Sequence, residues 1–206
     1  MLSSKKRVPY SAWMRIGIVS DTHLPALIRS VDELGPTLGE MLQSVDLILH
    51  AGDVVAPSVL AWCEQFAPIK VARGNNDLFE HPEVSERHIL DLAGWRIGLV
   101  HEVRPESRPM HELLAQGLDG EPVDVLIAGD THVERLELRD GVLFINPGSP
   151  TLPHHKEVRL GTAAVLELSP HSVRAEIVHL GETPGRRNPG SAKVLEARRE
   201  AFARPV

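Results

Sequence analysis

Three short apolar stretches of this 206-residue chain break off abruptly at acidic or imidazole side chains. Met14-Arg15-Ile16-Gly17-Ile18-Val19-Ser20 runs into Asp21-Thr22-His23, and Val45-Asp46-Leu47-Ile48-Leu49-His50-Ala51 into Gly52-Asp53. Val123-Asp124-Val125-Leu126-Ile127-Ala128 runs into Gly129-Asp130-Thr131-His132. Two further apolar runs deliver Asn75, within Arg73-Gly74-Asn75-Asn76-Asp77, and His101, just before Glu102. The set Asp21, His23, Asp53, Asn75, His101, Asp130 and His132 mixes carboxylates, imidazoles and an amide. It does not resemble a closed, cysteine-rich structural zinc site. Such groups, brought together without a buried basic partner, repel one another, and divalent cations are the economical way to hold them. Seven side chains exceed the needs of one catalytic ion. A pair of ions about 3.5–4 Å apart, sharing one carboxylate, accommodates them all.

The elements that must position these groups follow from the apolar pattern. Each run reads as a buried strand with its polar residue at the carboxyl end, where α/β sheets build their sites. The spacing of Leu34, Leu38, Met41 and Leu42 predicts a helix over roughly Val31 to Gln43, and Pro57 opens another that carries Val59, Leu60, Cys63 and Phe66. With Pro68 to Ala72 as a third strand, the first half is a βαβαβ unit with parallel pairing. The rhythm then changes. Glu86 to Leu92 and Trp95 to Val100 flank Ala93-Gly94 as a hairpin, and a helix is expected around Pro109 to Gln116. Strands over Val133 to Leu138, Val142 to Ile145, Gly161 to Leu168 and Val173 to Leu180 complete the pattern. The fold class expected is α/β, a four-layer αββα sandwich of two mixed sheets flanked by helices. Residues 1–13 read as a polar leader with a turn at Leu24-Pro25 after the first strand, 14–181 as the domain, and 182–206 as a tail in which Ala192 to Ala203 forms a loosely held helix.

Composition narrows the function classes. A hydrophobic share of 42% and a charged share of 24% are ordinary for a soluble globular protein. The net charge of -6 argues against broad binding to nucleic acid or anionic membrane, and no clear nucleic-acid surface is legible. No stretch approaches the ~18 apolar residues of a membrane span. A single cysteine, Cys63, precludes an internal disulfide and suits a reducing cytoplasm; it lies in an apolar helix pattern and is read as buried packing.

The motifs Asp21-x-His23, Gly52-Asp53, Gly74-Asn75-x-Asp77, His101 and Gly129-x-Thr131-His132 resemble, in order and spacing, those of the calcineurin-like metallophosphoesterases, closest to their small bacterial and archaeal phosphodiesterase branch. Asn146-Pro147-Gly148-Ser149 is a further hallmark of that branch. The resemblance covers about residues 14 to 180. It implies one metal held by Asp21, His23, Asp53 and His132, and a second held by Asp53, Asn75, His101 and residue 130, with Asp53 bridging. It implies a hydroxide between the ions attacking phosphorus in line, with Asp53, Asn75, His101 and Asp77 counted as the catalytic set. Mn²⁺ is the favoured ion, with Mg²⁺, Fe²⁺, Zn²⁺ or Ni²⁺ as alternatives, and the substrate a small phosphodiester or nucleotide-like molecule. A homo-oligomer is compatible with the reading.

Two positions depart from the family pattern. Asp130 stands where the family usually has the first His of Gly-His-Thr-His, which makes the cluster one unit less positive and favours harder ions; Asp130 is still expected to ligate. Asn76 stands where related phosphoprotein phosphatases carry a His, and an amide cannot act as a general acid. His154 and His155 are alternative proton donors. Asp77 is open between substrate contact and support, His50 reads as a packed histidine, and Asn146-Pro147-Gly148 as a loop that seats the metal strands. Two other functions compete. One is a protein-binding scaffold that kept the fold and lost the chemistry, as in a eukaryotic retromer subunit similar to this branch. The other is a phosphomonoesterase or nucleotidase.

Overall fold

The computed structural model describes residues 13–24 and 29–202. The expected leader over 1–13, apart from Trp13, and the Pro25 half of the expected turn lie outside the described residues. The first sheet-forming strands are β1 (Met14–Val19), β2 (Leu47–His50) and β3 (Ile69–Ala72), separated by α1 (Pro36–Leu42) and α2 (Pro57–Cys63). Then come β4 (Val84–Ser85), β5 (Arg87–Leu92), β6 (Trp95–Val100), α3 (Met110–Leu118), β7 (Val125–Ile127), β8 (Arg135–Arg139) and β9 (Val142–Asn146). The chain closes with β10 (Thr162–Leu168), β11 (Ser172–His179) and β12 (Lys193–Arg198). One sheet has the order β12-β11-β10-β1-β2-β3-β4, the other β5-β6-β7-β9-β8, and both mix parallel with antiparallel pairs.

Alternation along the strands builds the layers. Leu47 and Leu49 of β2 face the core shared by the two sheets, while Ile48 between them faces the helices α1 and α2. In the second sheet Val125 and Ile127 join that shared core, and Leu126 packs instead with Leu113 and Leu118 of α3. Three apolar clusters therefore lie between helices and sheet, between sheet and sheet, and between sheet and helix. This is the four-layer α/β sandwich that the sequence pattern predicts. β1, β2 and β3 run parallel, as do β6 and β7, so their carboxyl ends come together.

Three segments differ from expectation. The helix expected over 31–43 is split into a 3-10 turn, Val31–Leu34, and α1. Ser30 and Glu33 form a capping box for the turn, and Pro36 disfavours helical geometry at Gly35, whose φ is 76°. A two-residue strand, β4, extends the sheet beside β3 and carries no periodic signal of its own. Of the helix expected over 192–203, residue 203 lies outside the described residues and the rest is not an α-helix: β12 pairs antiparallel with β11 and runs into a 3-10 turn, Arg199–Phe202. Its Leu, Glu, Ala and Arg content favours helix locally. Pairing wins because the exposed edge of β11 offers a row of unmet backbone groups, and Leu195 and Ala197 reach the intersheet core from there.

Candidate metal centre

β1 ends at Val19 and delivers Asp21 and His23; β2 ends at His50 and delivers Asp53; β3 delivers Asn75, β6 His101, and β7 Asp130 and His132. The backbone turns sharply at these points. Asp21, His23, Asp53, Asp130 and His132 all have φ between 49° and 67°, a left-handed conformation that costs a non-glycine residue roughly 1–2 kcal/mol. Such strain gathers at functional sites and persists only when the surroundings enforce it. Here they do: Asp21 N–H donates to Gly52 O (2.9 Å) and His23 N–H to Asp53 O (3.0 Å), which ties the first loop to the second.

All seven side chains meet. His23 Nε2 lies 3.1 Å from His132 Nε2 and 3.6 Å from Asp53 Oδ2. His132 Nε2 is 3.4 Å from Asp21 Oδ1. On the other side His101 Nε2 is 3.5 Å from Asp53 Oδ1, 3.2 Å from Asn75 Oδ1 and 3.6 Å from Asp130 Oδ1. The Asp53 carboxylate thus stands between the His23–His132 pair and His101, one oxygen toward each side. Ligand atoms of Asp21, His23 and His132 fall within 4.8 Å of one another, as do those of Asp21, Asp53 and His101. Asp21 is common to both of these groups, while Asn75 and Asp130 stand at the His101 end.

The ring tautomers suit cation binding. His101 Nδ1 lies 2.7 Å from Ala51 O and His132 Nδ1 2.9 Å from Leu152 O. A carbonyl only accepts, so each Nδ1 carries a proton; in the neutral ring each Nε2 then turns a lone pair inward, the form in which histidine binds a metal. Asp21 Oδ1 is buried without a hydrogen-bond partner, an expensive state for a carboxylate oxygen. An orphaned carboxylate oxygen facing imidazole nitrogens fits a divalent cation, and the oxygen and nitrogen donors exclude a soft, thiolate-type site.

Asp77 is buried, and its carboxylate faces backbone N–H groups of the two loops. Its Oδ2 accepts from the N–H groups of Asp53 (3.0 Å) and Gly74 (2.8 Å), and its Oδ1 accepts from Val55 N–H (2.7 Å). It clamps the Asp53 loop to the Asn75 loop, a supporting role. A Cβ on Gly74 would collide with the backbone nitrogen and carboxylate of Asp53, so glycine there is what allows the two loops to touch. Asn76, considered above only for the proton it cannot supply, orients Asp53: its N–H donates to Oδ1 (3.0 Å) and its Nδ2 to Oδ2 (2.6 Å).

Further supports come from afar. Asn146 Nδ2 donates to Gly129 O (3.0 Å) and to Glu106 Oε1 (2.7 Å), which also accepts from Thr131 Oγ1 (3.2 Å). Ser149 Oγ donates to Asp21 O (2.8 Å). The Asn146-to-Ser149 loop therefore holds the first and last metal-site loops together. Glu106 and Arg104, in the loop between β6 and α3, were not singled out from sequence. Arg104 is ion-paired with Asp130, a partnership that only the fold creates. His50 is fully buried in β2, 3.4 Å from Thr22 Oγ1, and accepts from Gly52 N–H at Nδ1 (3.2 Å), so it packs beneath the site. Of the two alternative proton donors, His154 is held by Glu134 (2.8 Å), whereas the His155 ring stacks on His132 at 3.9 Å.

Electrostatics follow from this crowding. Burial pushes the Asp21 carboxyl up, but the neighbouring imidazoles, His132 first and then His101, outweigh it and leave the group below its ordinary value. Burial pushes His132 down, and Asp21 more than restores it, leaving it raised. Burial dominates at His23 and at His155, and both are lowered. Burial raises Glu106 despite its hydrogen bond from Asn146.

The sequence matches the calcineurin-like phosphoesterase superfamily domain over residues 14–171. A probable metallophosphoesterase of Methanothermobacter thermautotrophicus is 33% identical over 169 residues, 82% of this chain and 94% of that protein. A phosphodiesterase of Methanocaldococcus jannaschii is 31% identical over 150 residues, 66% of this chain and 83% of that protein. Among solved structures, vacuolar protein sorting 29 of Cryptosporidium parvum superposes with a TM-score of 0.71 at 20% identity, covering 90% of this chain and 97% of that one. The zinc complex of the Entamoeba histolytica protein of the same name gives 0.66 at 23% identity, covering 90% and 99%. These two likenesses show the fold alone. With the domain match spanning most of its length, the chain belongs to the calcineurin-like phosphoesterase superfamily.

Proposed function

We propose that this protein is a dinuclear-metal phosphodiesterase that hydrolyses small phosphodiester or nucleotide-like substrates. The observation that carries the reading is the Asp53 carboxylate, set between His23 and His101 with one oxygen 3.6 Å and the other 3.5 Å from an imidazole nitrogen. Asp21, His23, Asp53 and His132 would hold one cation, and Asp53, Asn75, His101 and Asp130 the other, with Mn²⁺ favoured for so oxygen-rich a set. When bound, two such cations lower the pKa of water and neutralise charge growing on phosphoryl oxygens. The chain's own part is to hold each donor still. Asn76 fixes the Asp53 carboxylate, Asp77 fixes its backbone, and Ala51 O and Leu152 O keep the Nε2 lone pairs of His101 and His132 turned inward. Beside His101 a cleft of about 530 Å³, lined by Arg73, Asn75, Leu78 and Glu102 among others, gives room for the organic part of an ester. The metallophosphoesterase and phosphodiesterase relatives support the reaction class. Among the described residues no helix is long and apolar enough to cross a membrane, and with the single cysteine we place the protein in the cytoplasm.

Two observations favour a second reading, a protein-binding scaffold. Asp130, an expected ligand, is already ion-paired with Arg104, and a fission-yeast vacuolar sorting protein is 25% identical over 148 residues. Hydrolysis of bis(p-nitrophenyl) phosphate separates the two. The phosphodiesterase reading expects Mn²⁺-stimulated turnover that exceeds turnover of p-nitrophenyl phosphate and is abolished in Asp53→Ala. Preference for the monoester would make the protein a phosphomonoesterase. No turnover with any divalent ion in folded protein would leave the scaffold.

A further inference from the structure

We propose that Arg104 is a phosphate-positioning residue: its guanidinium, held at the site's mouth by Asp130 and Glu102, binds a non-bridging oxygen of the substrate phosphate. Among the described residues it is the one lysine or arginine that an ion pair joins to any of the seven candidate ligands. Its Nη2 contacts Asp130 Oδ2, and its Nε lies 3.1 Å from Glu102 Oε1, a residue that lines the cleft. Its backbone N–H donates to Gln116 Oε1 of α3 (3.0 Å), which pins the chain beneath it. The side chain is 53% exposed, against 10% for Asp130, so the guanidinium straddles the boundary between site and solvent. Arginine presents five N–H donors in a planar fork, and two carboxylates occupy only part of it. For Nη1 no partner occurs among the described residues.

The charge of the site gives this cation a task. Asp21, Asp53 and Asp130 cancel three of the four charges that two divalent ions would bring, which leaves little attraction for an anionic ester. Arg104 returns one positive charge at the His101 end, where a carboxylate stands at Asp130. The carboxylate also couples the two functions, because its Oδ1 faces His101 Nε2 at 3.6 Å while its Oδ2 faces Arg104. The guanidinium and a cation held at the His101 end would therefore compete for the same carboxylate. Removing the guanidinium should weaken phosphate binding and, by freeing Asp130, tighten the hold on that cation. A residue of purely structural importance would loosen both.

The assignment rests on the dinuclear phosphodiesterase reading, and calorimetry separates the failure of either. Inorganic phosphate is titrated into Mn²⁺-loaded wild type, Arg104→Gln and Arg104→Lys, and Mn²⁺ into each metal-free protein. Loss of one charge-assisted hydrogen bond predicts about tenfold or greater weakening of phosphate binding in Arg104→Gln. Arg104→Lys should recover part of it, and the weaker Mn²⁺ site of Arg104→Gln should be unchanged or tighter. Phosphate binding within about twofold of wild type in Arg104→Gln, with wild type loaded and binding, overturns the role of Arg104 alone. A parallel loss of Mn²⁺ and phosphate in that variant overturns it as well, in favour of a structural ion pair. Wild type that takes up no Mn²⁺ overturns the metal reading, and the assignment of Arg104 goes with it.

Discussion

Both carboxylate oxygens of Asp77 are consumed by backbone N–H groups of Asp53, Val55 and Gly74, so its effect on chemistry is indirect. In Asp77→Asn one oxygen becomes an NH₂ that faces N–H donors. The expected cost is about 1.5–3 kcal/mol, the range for hydrogen bonds to a charged group, read as a lowered urea midpoint with Mn²⁺ uptake weakened alongside. Unchanged stability with Mn²⁺ uptake lost would instead make Asp77 a direct ligand. Asp53 belongs at the same scale. Its replacement by Ala removes the carboxylate that turns one oxygen toward His23 and the other toward His101, so hydrolysis of the bis ester should fall to background.

At the scale of elements, β2 carries Asp53 past its carboxyl end and His50 beneath it. Burial pushes His50 down to about 4 from 6.5, with the charges of Asp77 and Asp21 pulling the other way. The folded chain therefore keeps this ring neutral at pH values where the unfolded chain protonates it. Stability present at pH 7 is lost as pH falls from about 6.5 toward 4, by roughly 3 kcal/mol from this group. Denaturation midpoints measured across that window should fall more steeply in the metal-free wild type than in His50→Gln; equal slopes would remove His50 from the account. How much of this was legible in the sequence divides along the same lines. Strands ending in Asp21, Asp53 and Asp130 show themselves because their apolar runs are short, continuous and cut off by polar residues. Glu106, Asn76 and Arg104 carry no periodic signal; each gains its role from a partner brought near by folding, 40 residues away for the Glu106–Asn146 bond. The 192–203 segment misleads for a related reason, since its composition favours helix and only the open edge of β11 decides for strand.

At the scale of the whole molecule, the two sheets must hold their relative position for β1, β2 and β3 of one to meet β6 and β7 of the other. The C-terminal segment contributes to that closure. The Phe202 ring meets fully buried Trp95 edge-on at 4.8 Å, and Arg199 lies 3.6 Å over the same indole. Phe202→Ala should cost about 3–5 kcal/mol by chemical denaturation, as for other buried phenylalanines; a cost under about 1 kcal/mol would show that the segment is dispensable. The account as a whole stands on seven side chains from five strand ends being gathered to hold two cations. Anomalous diffraction from crystals grown with Mn²⁺ tests this most directly. Two peaks are predicted, one on the Asp21, His23 and His132 side of Asp53 and one on the Asn75, His101 and Asp130 side. Ordered side chains with no peak between them, or a single peak that leaves the His101 side empty at saturating Mn²⁺, would contradict it.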